Sequence, residues 1–308
     1  MIFGSRNFLT ANTQSMTKYS IDQFSQITGI TKFVLRTWEN RYGFLKAERT
    51  DTKIRYYTDD LLVRALNSNY LLENGYKISA ISKMSHFDIC EKVDEIKNQS
   101  NDNSKASYYI AKLIQSALDF DSKLFHLTYE SGARELGVLE FYKNVLLVAF
   151  SKIGIFWLTN RIAPSQEHFL SELVKQKICA AADLASLNVT DKENWLLFLP
   201  ENEFHEIGLV FAKFLLINNG FDVIYLGTNV PFGSLAHISE KKNIDNVLFF
   251  SVSNTSKSNL DFTINYLNKT FPKSKHYLVV NGLDIDFLTK DHDINLIDNL
   301  DDFVDIIS

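Results

Sequence analysis

An all-helical front joined to a parallel α/β domain is the architecture that this sequence predicts, and three observations predict it. Residues 17–96 carry helix caps and glycine turns at short intervals. Residues 107–190 place apolar side chains at helical spacing, as in Val138, Phe141, Val145 and Val148. From Trp195 the rhythm changes to short apolar runs separated by segments of helical composition, the mark of a parallel sheet with crossover helices. The reading is a multidomain α and α/β chain: a winged helix-turn-helix, a four-helix bundle and a Rossmann-like, flavodoxin-like parallel sheet.

Composition narrows the class. A length of 308 residues suits two or three domains. With 45% hydrophobic and 22% charged residues the chain reads as globular, not disordered or fibrous. The run "VLLVAF" at 145–150 is far too short to span a bilayer, so no membrane partner is expected. Residues 1–16 lack an apolar stretch of signal-peptide length and read as a flexible leader, which favours the cytoplasm. Cys90 and Cys179 have neither disulfide-framework nor metal-site spacing.

The charge is unevenly distributed. Residues 1–84 hold 12 Lys/Arg against 7 Asp/Glu, while the rest holds 20 against 30. A basic front on an acidic body is what a phosphate-binding end requires, although a surplus of five can also be an ordinary solvated face.

Within residues 17–96, Ser20 is placed to cap a helix running to Thr28, and Gly29 turns the chain. Thr31 then caps a second helix, where Lys32 and Arg36 share one face. That spacing describes a helix-turn-helix whose second helix meets the major groove. Arg49, Lys53, Arg55, Tyr56 and Tyr57 follow in a two-stranded wing suited to phosphate contact. The plainer reading assigns Trp38 and Tyr57 to a small core. The order Arg36-x-Trp38-Glu39-x-Arg41-Tyr42-Gly43, then Arg49-Thr50 and Arg55-x-Tyr57, resembles the DNA-binding domain of the MerR family over some 65 residues. Asp51-Thr52-Lys53-Ile54 stands where that family usually has a Gly-rich wing tip. The resemblance implies double-stranded operator DNA as partner, with Thr31, Lys32, Arg36, Trp38, Arg41, Tyr42, Arg49, Lys53, Arg55 and Tyr57 as candidate contacts. It also implies self-association as a homodimer or homotetramer.

A polar linker is expected over residues 97–106, the helix bundle over 107–190 and the α/β domain over 191–308. The predicted strands are "WLLFLP", "DVIYLG", "NVLFFSVS", "HYLVV" and "INLI". The first four lead into polar or Gly-rich stretches: "PENEFHEIG", "LGTNVP", "SVSNTS" and "NG". Ligands of open parallel sheets lie beyond these carboxyl ends, so all four stretches share the candidate rim. His205 is the candidate metal ligand, with Glu203 two positions earlier to fix its tautomer. Gly208 would admit a close approach of the helix backbone to the ligand. Alone, a loop histidine is more often a surface or capping residue.

The spacing Glu203-x-His205-x-x-Gly208, then Ser251-x-Ser253, then Asn281-Gly282, resembles the cobalamin-binding signature, and "LGTNVP" matches that family's second loop. Asn281 replaces the first of two usual glycines. The resemblance implies that His205 is the lower ligand of cobalt. It further implies that Gly227, Thr228, Val230, Ser251, Ser253, Asn281 and Gly282 line the cofactor. Trp157, followed after nine residues by Glu167-His168, resembles the motif of light-responsive, adenosylcobalamin-dependent MerR regulators that repress carotenoid genes. That likeness implies a tryptophan over the adenosyl group, Glu167 beside it and His168 as upper cobalt ligand after photolysis. Read singly, Trp157 is core and Glu167 favours a helix start after Pro164. The expectation is a non-enzymatic, adenosylcobalamin-dependent photoreceptor and repressor. The alternative is a MerR-type regulator whose α/β domain has lost the ligand and serves oligomerisation or protein interaction, which Asn281 favours. A corrinoid methyl-transfer enzyme has no use for a basic winged helix.

Overall fold

The computed structural model describes residues 18–50, 52–97, 102–158, 164–186, 192–252, 256–280 and 293–308. They fall in two compact units, Met1–Leu170 and Ser171–Ser308. The expected leader, residues 1–16, lies outside the described residues.

The first unit begins with the expected caps. Ser20 and Gln23 form a reciprocal capping box at the start of α1 (Ile21–Thr28), which satisfies two otherwise orphaned amides. Gly29 ends α1 at φ 76, a left-handed turn that a Cβ would strain. Thr31 caps α2 (Lys32–Tyr42). The wing is an antiparallel pair, β1 (Glu48–Arg49) and β2 (Arg55–Tyr56). Two main-chain hydrogen bonds of 2.8 Å between Tyr19 and Tyr57 fasten it to the chain entering α1. Phe24 stacks on Tyr57 with ring centroids 4.2 Å apart, so the wing and α1 share one core. Then come α3 (Asp59–Glu73), α4 (Ile78–Ile81) and α5 (His86–Lys97).

Four helical runs occupy the span expected to form the bundle. They are α6 (Asp102–Leu118), α7 (Ser122–Leu136), the run of α8 (Val138–Phe141) through a π turn into α9 (Leu147–Leu158), and α10 (Pro164–Ala185). The division between the units falls inside α10. Helix α6 starts within the stretch read as linker. Residues 98–101 of that stretch lie outside the described residues. Helix α9 packs on α1: Lys152 Nζ donates to the Ile27 carbonyl at 2.5 Å. Burial holds this ammonium's pKa below its ordinary value.

The second unit contains strands at all five predicted runs: β3 (Asn194–Pro200), β4 (Asp222–Val230), β5 (Asn246–Ser251), β6 (Lys275–Val280) and β7 (Asn295–Leu296). All pair in parallel, in the order β4-β3-β5-β6-β7. Helices α11 (Glu206–Asn218), α12 (Phe232–Ser239), α13 (Lys257–Thr270) and α14 (Leu300–Ile307) fill the connections and the end of the chain. Strand β3 is flanked by β4 and β5, so it reads as a nearly unbroken apolar run buried from Trp195 to Pro200. On one face Leu196, Phe198, Val247, Phe249 and Leu278 pack with Leu235 of α12 and with Leu260, Ile264 and Leu267 of α13. On the other, Trp195 stacks on Tyr277 and meets Phe303 of α14 edge-on. Burial of each such side chain contributes roughly 1.5–3 kcal/mol.

His276 of β6 is buried, with Nδ1–H directed to Asn268 Oδ1 at 2.8 Å. Burial pushes its pKa below the ordinary value of 6.5. The folded chain therefore binds fewer protons here than the unfolded chain. Stability from this group is complete above pH 6.5 and is lost as the pH falls through that value toward the folded pKa. Denaturant unfolding across the acid range should show a shallower loss of stability for His276→Gln than for wild type. Parallel curves would contradict this.

Candidate functional site

In the order β4-β3-β5, the chain leaves β3 toward one edge and returns past it to β5, which makes the β3/β5 boundary the switch point of the sheet. The residues that leave these two strands meet there. Glu203 comes just after β3 and is only 4% exposed. Its Oε1 accepts hydrogen bonds from the amides of Phe204 and His205, at 2.9 and 3.0 Å, and from His205 Nδ1 at 2.7 Å. Its Oε2 accepts the amide of Val252, at the end of β5, at 2.8 Å. One carboxylate thus ties both sides of the switch point and orients the imidazole. With Nδ1–H donated to Glu203, the lone pair of the His205 ring lies on Nε2, the nitrogen that a metal would take. The His205 side chain is 60% exposed, at the N-cap of α11.

The neighbouring loop is fixed from β4. The Asn229 side-chain oxygen accepts from the Asn202 amide at 2.9 Å, and the Asn229 amide donates to the Glu203 carbonyl at 3.2 Å. Register shifts in the β3/β4 ladder, with Gly227 at φ 79 and Asn229 at φ 53, bend the end of β4 toward this loop. Thr228 is half-buried there. Val230, expected to touch a cofactor, is instead packed in the sheet core, because the bend turns it inward beside Leu235. Gly208 also has a different neighbour from the one expected. A Cβ on it would stand 2.7 Å from the Phe250 ring, so the missing side chain admits β5 under α11.

A cavity of about 610 Å³ opens at the switch point beside Glu203, Ser251, Phe249, Asn259 and Thr263. Ser251 is buried at the end of β5. Ser253, Asn281 and Gly282 lie outside the described residues. Sequence reasoning missed the polar chain behind His205: Tyr225 donates to Glu206 Oε1 at 2.7 Å, and Lys175 Nζ reaches Glu206 Oε2 at 3.2 Å. Burial, then the Glu206 bond, raises the Tyr225 pKa. A tyrosine within a half-buried strand and a glutamate directly after the candidate ligand were the available signals. Among the described residues no three His, Cys, Asp or Glu side chains converge on a metal position. The described part of the rim offers a metal one oriented imidazole, an arrangement that suits an ion bringing its own equatorial ligands.

In the first unit, Trp157 lies on α9, its side chain outside the described residues. Pro164 opens α10, as its missing N–H allows. Glu167 and His168 come in the first two turns, with Oε2 and Nδ1 3.1 Å apart, and the histidine is 73% exposed. Buried Gln166 anchors this helix start by donating to the Leu118 carbonyl at 2.9 Å.

The basic candidates remain at the surface: Lys32, Arg36 and Arg41 on α2, and Arg49, Lys53 and Arg55 on the wing. Thr31 is exposed and serves as the α2 cap, and Tyr42 is half-buried beneath the Arg41 guanidinium. Arg49 braces the wing turn through the Lys53 carbonyl, and Arg55 pairs with Glu39 at 3.5 Å. Trp38 and Tyr57 correct the expectation. Trp38 packs against Phe44 and Tyr57 is fully buried, because a domain this small needs its large aromatics in its core. Both side chains belong to the core that supports the surface.

Residues 19–87 match the MerR HTH family regulatory protein model. The chain is similar to the HTH-type transcriptional repressor CarH of Myxococcus xanthus, with 24% identity over 83% of this chain and 86% of that one. It is also similar to the HTH-type transcriptional repressor CarA of the same organism, with 21% identity over 70% of each chain. Both relatives are named as repressors and not as enzymes. Among solved structures, the Methanosarcina barkeri monomethylamine corrinoid protein shares the fold, with a TM-score of 0.53, 16% identity, and coverage of 63% of this chain and 94% of that one.

The 2.7 Å approach at Gly208 yields a direct test. Gly208→Ala should destabilise the protein by about 1–3 kcal/mol, as overpacking does. Adding Phe250→Leu should restore most of the loss in denaturant unfolding. A Gly208→Ala protein with the wild-type midpoint would show that the contact is not tight.

Proposed function

We propose, for a chain whose residues 19–87 form a MerR-type helix-turn-helix domain, that the whole is a DNA-binding transcriptional repressor governed by adenosylcobalamin and light. The carrying observation is the oriented imidazole of His205, held by a buried carboxylate at the switch point of a sheet with the fold of a corrinoid protein. His205 would hold the lower face of cobalt through Nε2. The cofactor's nucleotide tail would enter the cavity beside Ser251, with Ser253, Asn281 and Gly282 as further lining. Gly227 and Thr228 belong to the same rim.

Adenosylcobalamin supplies a cobalt–carbon bond that visible light breaks. The protein's part is to orient one imidazole, shield the upper face and respond to a change there. Trp157, Glu167 and His168 are assigned to that upper face, on their spacing and on the likeness to CarH and CarA. The dark, loaded state would be an oligomer that occupies operator DNA. Illumination would separate the subunits and release the DNA, as expected of a cytoplasmic regulator.

Titration of the apo-protein with adenosylcobalamin in the dark, followed by absorbance, tests the reading. Wild type should take up the cofactor and change spectrum under green light. Removing the carboxylate in Glu203→Ala should weaken uptake about 10–100-fold, the usual effect of removing a histidine's supporting acceptor. Absence of uptake by wild type would leave a MerR-type regulator whose α/β unit serves assembly alone.

A further inference from the structure

On α2, Phe33, Arg36, Thr37 and Asn40 have the spacing of a single helix face, and Phe33, Arg36 and Asn40 are exposed on it. Phe33 is 79% exposed in the first turn, while Leu35 and Trp38 occupy the opposite, buried side. One exposed phenylalanine needs no explanation in itself. The setting of this one is informative. It lies on the helix that a helix-turn-helix inserts into the major groove, between exposed Lys32 and Arg36, on the basic end of an acidic chain. Phosphate-directed lysines and arginines give such a surface affinity, but an apolar ring gains nothing from phosphate. In the major groove the apolar feature of a base edge is the C5 methyl of thymine, and phenylalanine is among the side chains that suit it.

We propose that Phe33 is a specificity-determining residue that packs its ring on a thymine methyl in the operator. This deepens the DNA-binding part of the function proposed above and rests on it, but it is independent of the cofactor. The residues beside Phe33 are matched to polar edges: Arg36 to guanine, and Asn40 one turn further along to adenine. Phe33 carries no charge and releases no counterion, so its contribution does not change with salt.

The test selects duplexes from a randomised double-stranded library with the full-length protein, then replaces each thymine of the selected site, in turn, by deoxyuridine. That exchange removes only the methyl group. At one position in each half-site wild type should lose about fourfold in affinity, the worth of one buried methyl. Phe33→Ala should bind that position equally with thymine or deoxyuridine, and should keep the wild-type salt slope and affinity for non-specific duplex. Because the side chain is exposed, the variant should also keep the wild-type unfolding midpoint. If Phe33→Ala retains the same sensitivity to deoxyuridine, or if wild type is insensitive at every position, the proposal is overturned. A variant that keeps the methyl sensitivity but changes its sedimentation would assign Phe33 to a protein contact and overturn it equally. If wild type enriches no sequence, the DNA-binding reading itself fails, an outcome distinct from the others.

Discussion

The carboxylate of Glu203 is the constraint on which the second unit's chemistry depends. A charged group only 4% exposed persists in a protein interior when its lone pairs are used, and four donors use them here. Each hydrogen bond to a charged group contributes roughly 1.5–3 kcal/mol. Two of the donors are amides of the next two residues, which forces the chain into the tight loop that presents His205. The third donor is the imidazole itself. The fourth is the Val252 amide, which makes the end of β5 part of the same unit. The sheet order matters for this reason: only at the switch point do the ends of β3 and β5 diverge enough to leave a cavity while staying close enough for one side chain to link them.

A second constraint acts in the first unit. Lys152 is half-buried and donates to a main-chain carbonyl at the end of α1. Five residues further along α9 stands Trp157. The helix that carries Trp157 is thus the helix that grips the first element of the helix-turn-helix. Displacing it would cost a partly desolvated ammonium its hydrogen-bond acceptor. Under the proposed function, this contact is the path by which a change along α9 would reach the helix-turn-helix.

Much of this was legible in the sequence. Caps at Ser20 and Thr31 with a glycine at 29 are local signals, and they placed both ends of α1 and the start of α2. The five apolar strand runs were equally clear, because a buried parallel strand tolerates few polar residues. The Glu203–His205 pair was visible because the partners are two positions apart. The features that escaped notice depend on distance along the chain: Val252 closing the carboxylate, Phe250 filling the space above Gly208, and the bend that turns Val230 inward. No local pattern encodes these. Trp38 and Tyr57 were half-legible, since an aromatic near arginines reads equally as core or contact until burial decides.

The central claim is a bond between His205 and cobalt, and electron paramagnetic resonance of the protein loaded with cob(II)alamin tests it most directly. With histidine of natural isotopic composition and with 15N-histidine, the nitrogen splitting on the cobalt signal should change from a triplet to a doublet. His205→Ala should abolish that change. A triplet that persists with labelled histidine would mean that the cofactor keeps its own base, and the account of the rim would be wrong.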